Sequence, residues 1–274
     1  MPGFSDLWPL ILILSLTGAF AGILAGLLGV GGGIVLVTAF FYAFKLLGYD
    51  SPQLMQICLA TSLATIVFTS VRSVMAHNRK GAVDWGVLKT WAPGIAIGAA
   101  AGVLVAAGLR TVTLQAIFAG LALTVALYMA FGRDSWRLGE EMPKGPVVWA
   151  VSPVVGLLSV LMGIGGGSFG VPLMTLHGVT MHRAVATAAG FGVIIAVPGV
   201  AGFLLLDVGE AGRPPFTIGA VNLPAFLLVI AWTMVTTPFG VKMAHALDPR
   251  PLRRIFALFL MVVAANMMRK AMGY

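Results

Sequence analysis

Two glycine clusters have the types and spacing that could do chemistry. "GVGGG" occupies 29–33 and "GIGGG" occupies 163–167, each inside a long apolar run. Three consecutive glycines weaken a helix by roughly 1 kcal/mol apiece relative to alanine, more than a close-packing face needs. A helix that breaks and restarts exposes first-turn N–H groups without intrahelical acceptors, together with the positive end of its dipole. Such a restart holds an anion without any charged side chain. The spacing nominates Gly31, Gly32, Gly33 and Ile34, with Gly165, Gly166, Gly167, Ser168 and Phe169, as substrate-binding residues.

Small hydroxyls follow each cluster. "CLATSLATIVFTS" (58–70) carries Thr61, Ser62, Thr65, Thr69 and Ser70, and "AVATAAG" (184–190) aligns Thr187 with Thr61. Thr61, Ser62, Thr187 and Ser168 are the expected donors to an oxyanion, against the alternative that each bonds its own helix backbone. Arg72 is the only cation well inside an apolar run. An intramembrane charge is a functional candidate by default, here as a substrate contact, and the competing use is snorkelling toward the loop that begins at His77.

Enzyme chemistry has little to stand on. The carboxylates and the four histidines fall near loops or helix ends, and they show neither metal-ligand spacing nor a nucleophile–His–acid set. No catalytic residue, metal site or cofactor is expected. A nucleotide loop of the GxGxxG type would need a strand–turn–helix unit and a later acidic residue, and this context offers neither.

The elements that must position these groups follow from composition. Of 274 residues, 59% are hydrophobic and 9% charged, too little charge to cover a soluble domain. Apolar runs long enough to cross a hydrocarbon core of about 30 Å recur along the chain. An all-α polytopic membrane protein is predicted, with the lipid bilayer as one partner. The formal charge of +8 is scattered over loop ends, as cytoplasmic loop bias requires, and not gathered in a nucleic-acid stripe with interleaved aromatics. The first segment, with Asp6 and no Lys or Arg before its apolar run, does not read as a cleavable signal. The single Cys58 excludes an intrachain disulfide.

The chain also repeats itself. Besides the two glycine clusters, "GAV" recurs at 81–83 and 219–221, "LRTVTLQAIFA" (109–119) matches "LDPRPLRRIFA" (247–257), and Gly102 corresponds to Gly240. Each half reads as a glycine-broken hairpin (7–48, then 147–178) and three transmembrane helices: 54–76, 84–108 and 112–131, then 183–205, 220–246 and 252–272. The expected units are a first transmembrane repeat at 1–131, a cytoplasmic linker at 132–146 and a second repeat at 147–274.

A hairpin plus three crossings reverses the second half relative to the first. With the linker inside, most of the 17 Lys and Arg lie at cytoplasmic ends, and Lys45, Arg110, Arg213, Arg269 and Lys270 lie outside. Both termini are then outside. Inverted repeats bring their two breaks together near the centre, the usual place for a transporter's substrate. The "GIAIGAAAG" stretch (94–102) reads differently, as a small-residue face for helix packing.

The ordered set of GxGGG, "LATSLATIVFTS", "RKGAVDW", a glycine-rich helix and "LQAIFAGLAL", repeated more weakly with "GIGGGSFGVPLM", resembles the TauE/SafE family of sulfite and organosulfonate exporters. The resemblance covers nearly the whole chain. It implies a bacterial inner-membrane transporter of small sulfur-containing anions such as sulfite, sulfoacetate or related sulfonates. A passive anion channel, or a carrier of other small organic anions, is the alternative. Two departures stand out. Thr38 replaces the proline matched by Pro172 in the second half, which leaves the first half-helix's kink open. Arg72 follows "FTSV" where the family commonly has a small residue, which suggests a second negative charge on the substrate.

Overall fold

Ten helices and one two-residue β-ladder make up the described chain, which in this computed structural model covers residues 4–28, 32–132, 136–246 and 249–273. In order they are α1 (Phe4–Leu28), α2 (Gly33–Leu46), α3 (Leu54–Arg79), α4 (Trp85–Ala107), α5 (Thr111–Phe131), α6 (Pro146–Leu161), α7 (Gly167–Leu176), α8 (Met181–Leu204), β1 (Thr217–Ile218), β2 (Val221–Asn222), α9 (Leu223–Ala246) and α10 (Pro249–Ala271). The strands β1 and β2 pair antiparallel around Gly219, whose φ of 53° suits a tight turn.

Five described helices are long and apolar enough to cross a membrane: α3, α4, α5, α8 and α9. The 14-residue α2 and the 10-residue α7 are not. At 1.5 Å per residue, α7 reaches about 15 Å, roughly half the hydrocarbon thickness. The restart after each glycine cluster therefore lies inside the bundle.

α3 is the enclosed helix. From Leu54 to Ile66 every residue is buried, so this stretch meets protein on all sides and not lipid. The other long helices divide into a buried and an exposed apolar face, as Ile97, Leu104, Leu123, Leu127, Val197 and Leu227 show.

The principal helix contacts are α1 with α9, α4 with α6, α3 with α8 and α5 with α10. Exchanging α1–α5 for α6–α10 in order returns the same four pairs. Glycine makes the closest of them possible. A Cβ on Gly98 would overlap the Pro153 carbonyl, and one on Gly156 would overlap the Ile95 carbonyl, so the 94–102 stretch is the packing face its small residues predict. Contacts advance together from Gly94 with Ser152 to Gly102 with Val160, so α4 and α6 run the same way. From Gly18 with Val229 to Gly22 with Thr233, α1 and α9 do too. α3 and α8 run opposite ways, since Leu63 meets Gly199 while Ser70 meets Gly192.

Two end faces result. On one, Arg183 Nη2 lies 3.1 Å from Asp84 Oδ2, joining the start of α8 to the α3–α4 loop. On the other, Lys45 pairs with Asp50, Gly212 lies against the Asp50 backbone, and Thr111 Oγ1 donates to the Pro52 carbonyl at 2.8 Å. In the linker, Lys144 Nζ donates to Glu141 Oε2 at 2.7 Å. That bond and the ammonium charge hold the Glu141 carboxyl below the usual carboxylate range.

Candidate functional site

The α7 restart is built by three elements. The chain leaves α6 at Leu161, turns through Gly163 at φ 59°, and re-enters a helix with Gly166 as a cap that has no side chain to offer. Gly165, Gly166, Gly167 and Ser168 are all buried. Against this loop lies one face of α3, on which Ser62, Ile66 and Ser70 succeed one another at intervals of four residues. Ser62 Oγ donates to Gly163 O at 2.7 Å. A Cβ on Gly165 would sit 3.2 Å from Ile66 Cγ2 and 3.8 Å from Ser70 Oγ.

α8 closes the third side. A Cβ on Gly166 would overlap Phe191 and come within 2.6 Å of Ala188 O; one on Gly192 would overlap Ser70 Oγ and lie 3.5 Å from Gly166 N. Gly192 thus lets α8 pack directly against the Ser70 hydroxyl beside Gly166 N.

Ser168 carries the observation that matters most. Its residue is 4% exposed and, among the described residues, its Oγ has no hydrogen-bond partner, a condition that costs about 1–3 kcal/mol in a folded protein. Ser168 is the second residue of α7, and helical side chains lean toward the N-terminus. Its hydroxyl is therefore directed to the end where the first-turn N–H groups have no intrahelical acceptor. Ser70 makes no hydrogen bond to the described residues either.

The first restart is built differently. Gly32, at φ 65°, caps α2, and a Cβ there would lie 2.9 Å from Ala21 O. A Cβ on Gly33 would lie 2.8 Å from Gly163 O and 2.9 Å from Ile164 Cα, so the two breaks abut as expected. The position equivalent to Ser168 is the buried Ile34, which has nothing to donate. Gly31 lies outside the described residues.

The expected hydroxyl donors are corrected in part. The Thr61 proton goes to Ile57 O at 2.7 Å, and the Ser62 proton goes to Gly163 O, so neither is left to donate to an anion. Thr61 Oγ1 also accepts from Asn222 N at 3.0 Å, and Thr187 Oγ1 accepts from Asp84 N at 2.9 Å. Asp84 and Asn222 follow the two "GAV" copies and cap α4 and α9: Asp84 Oδ1 accepts from Gly86 N and Val87 N, and Asn222 Oδ1 from Ala225 N. The paired threonines thus anchor helix caps contributed by the other half of the chain. Arg72 is exposed on α3, two residues beyond Ser70. Residues two apart do not share a helix face, so it is not brought together with Ser70. Phe169 is half-buried against the core beside Ser168.

Ser70 and Gly192 are the residues that the glycine clusters alone did not single out. The i, i+4, i+8 spacing of Ser62, Ile66 and Ser70 is the signal that could have found Ser70. Nothing local marks Gly192, because its role depends on α3 crossing α8.

Comparison with known proteins gives the chain its family. A family model described as "Sulfite exporter TauE/SafE" matches residues 14–267. A Haemophilus influenzae protein named "Probable membrane transporter protein" is 33% identical over 95% of this chain and 98% of its own length. A Methanocaldococcus jannaschii protein with the same description is 24% identical over 97% of both chains. No solved structure matches. These relatives are transporters and not enzymes, and with several apolar helices this chain is a multi-pass membrane protein. It belongs to the sulfite exporter TauE/SafE family.

Proposed function

We propose that the protein is a carrier of small sulfur-containing oxyanions, sulfite, sulfoacetate or a related organosulfonate, which it holds at the N-terminus of α7. The observation that carries this reading is the buried Ser168 hydroxyl, unpartnered among the described residues, beside the first-turn N–H groups of α7, which have no intrahelical acceptor. A sulfonate oxygen accepts from both at once. Ser70 adds a second hydroxyl from α3, and Gly165, Gly166 and Gly167 let the ligand approach the backbone. Phe169 flanks the site. The burial of all these groups corresponds to an occluded state, with access from each side in turn.

The rest of the architecture belongs to the same reading. The units 1–131 and 147–274 are inverted repeats joined by a cytoplasmic linker at 132–146, in the bacterial inner membrane with both termini outside. Three observations support this: the opposed directions of α3 and α8, the helix pairing that survives exchange of the halves, and the segregation of Arg183 with Asp84 from Lys45 with Asp50. Gly32, Gly33 and Ile34 then form the counter-surface against which the site is built.

Reconstitution tests the transport claim. Proteoliposomes should exchange labelled sulfonate faster than empty vesicles, with saturation and counterflow. Flux that rises linearly with concentration and shows no counterflow would favour a passive channel instead.

A further inference from the structure

We propose that the linker between α5 and α6 is a clasp on α7, and that its Arg137 is a positioning residue: it holds by the C-terminal end the half-helix whose N-terminal end receives the anion. This rests on the transport reading above and deepens it by naming what keeps that site in place.

A helix leaves its last four carbonyls without intrahelical donors, and at the end of α7 all four are met. Leu173 O accepts from His177 Nδ1 at 2.8 Å. Met174 O accepts from the N–H groups of His177 and Val179, at 3.1 and 3.0 Å. The remaining two reach the linker. Thr175 O accepts from Gly178 N at 3.2 Å and from Arg137 Nη1 at 3.3 Å, and Leu176 O accepts from Leu138 N at 2.7 Å and from Gly139 N at 3.3 Å. The two segments also fit closely. A Cβ on Gly178 would lie 2.7 Å from Glu140 O, and one on Gly139 would lie 3.0 Å from His177 Cδ2.

α7 needs such a hold. Pro172 stands inside it and has no N–H to give to Ser168 O, and so short a helix closes few bonds of its own. Water would satisfy the exposed carbonyls but would not fix their position. The linker does, because it is anchored by α5 on one side and by α6 on the other. The guanidinium also sets a positive charge at the negative end of the α7 dipole, as the proposed anion sets a negative charge at the positive end. α2 ends differently: the carbonyls of Ala43, Phe44 and Lys45 accept from Leu47, Tyr49 and Gly48, all in the turn that follows it. α2 is also the half-helix with Ile34 in place of Ser168. The clasp therefore falls on the half-helix that carries the hydroxyl.

The test is hydrogen–deuterium exchange of the purified full chain in detergent, read by mass spectrometry over residues 163–180, together with equilibrium binding of methanesulfonate. Arg137 is exposed, so its truncation leaves no cavity. Arg137→Ala is expected to speed exchange in α7 about fivefold while exchange in α1–α5 is unchanged. It is expected to weaken methanesulfonate binding about threefold. Arg137→Lys, which keeps the charge and a donor, is expected to restore both. Exchange or affinity in Arg137→Ala equal to wild type overturns the inference and leaves the transport reading intact. So does faster exchange spread evenly over all helices, or a defect in Arg137→Lys as large as in Arg137→Ala. Wild-type protein that binds neither methanesulfonate nor sulfite overturns both.

Discussion

At the scale of single residues, the site is a cluster of small groups packed too closely to admit a larger side chain. Gly192→Ala places a methyl between the Ser70 hydroxyl and Gly166 N. It is expected to weaken sulfonate binding at least tenfold, measured by equilibrium binding to detergent-solubilised protein, with a smaller effect on the unfolding midpoint. Thr187→Val removes the acceptor for Asp84 N and leaves a donor unpaired, which costs about 1–3 kcal/mol. The thermal midpoint is expected to fall while substrate selectivity is unchanged. Alignment with Thr61 marks Thr187 as a donor to substrate, and the structure adds a partner for its oxygen that the alignment does not show. Asp84 N, which donates to it, lies 103 residues away, and such pairings are set by helix crossing, which local spacing does not encode. Ser168, the donor of the proposed site, is nominated by its place in the glycine cluster itself.

At the scale of elements, close helix approach depends on positions where no side chain fits. Gly98→Val drives a branched side chain into the Pro153 carbonyl across α4 and α6. Overpacking of this kind costs about 1–3 kcal/mol or more, and the expected result is lost monodisperse protein after extraction, read by size-exclusion chromatography. Helix boundaries were legible because apolar length, glycine and loop charge all act locally. The β1–β2 ladder was not, since two-residue strands are too short to show alternation. Nor was the difference between the two restarts, which arises because Ile34 stands where the second half has Ser168 and because Ser62, Ile66 and Ser70 all come from α3.

At the scale of the whole molecule, paired helices and segregated ion pairs carry the proposed inverted architecture. Cys58 is fully buried and does not compete for a membrane-impermeant thiol reagent. Single cysteines at Lys144 and at Arg110 are expected to label from opposite sides, the first only when the cytoplasmic face is open. Labelling of both from one side would contradict the orientation. The central claim is that an oxyanion occupies the α7 N-terminus, and Ser168→Ala tests it by thermal shift with and without methanesulfonate. Removing an unpartnered buried hydroxyl relieves its desolvation cost, whereas losing a hydrogen bond to a charged group removes about 1.5–3 kcal/mol of binding. The account predicts a higher midpoint without ligand and a smaller ligand-induced rise, equivalent to at least tenfold weaker binding. A ligand-induced shift equal to that of the wild-type protein would contradict it.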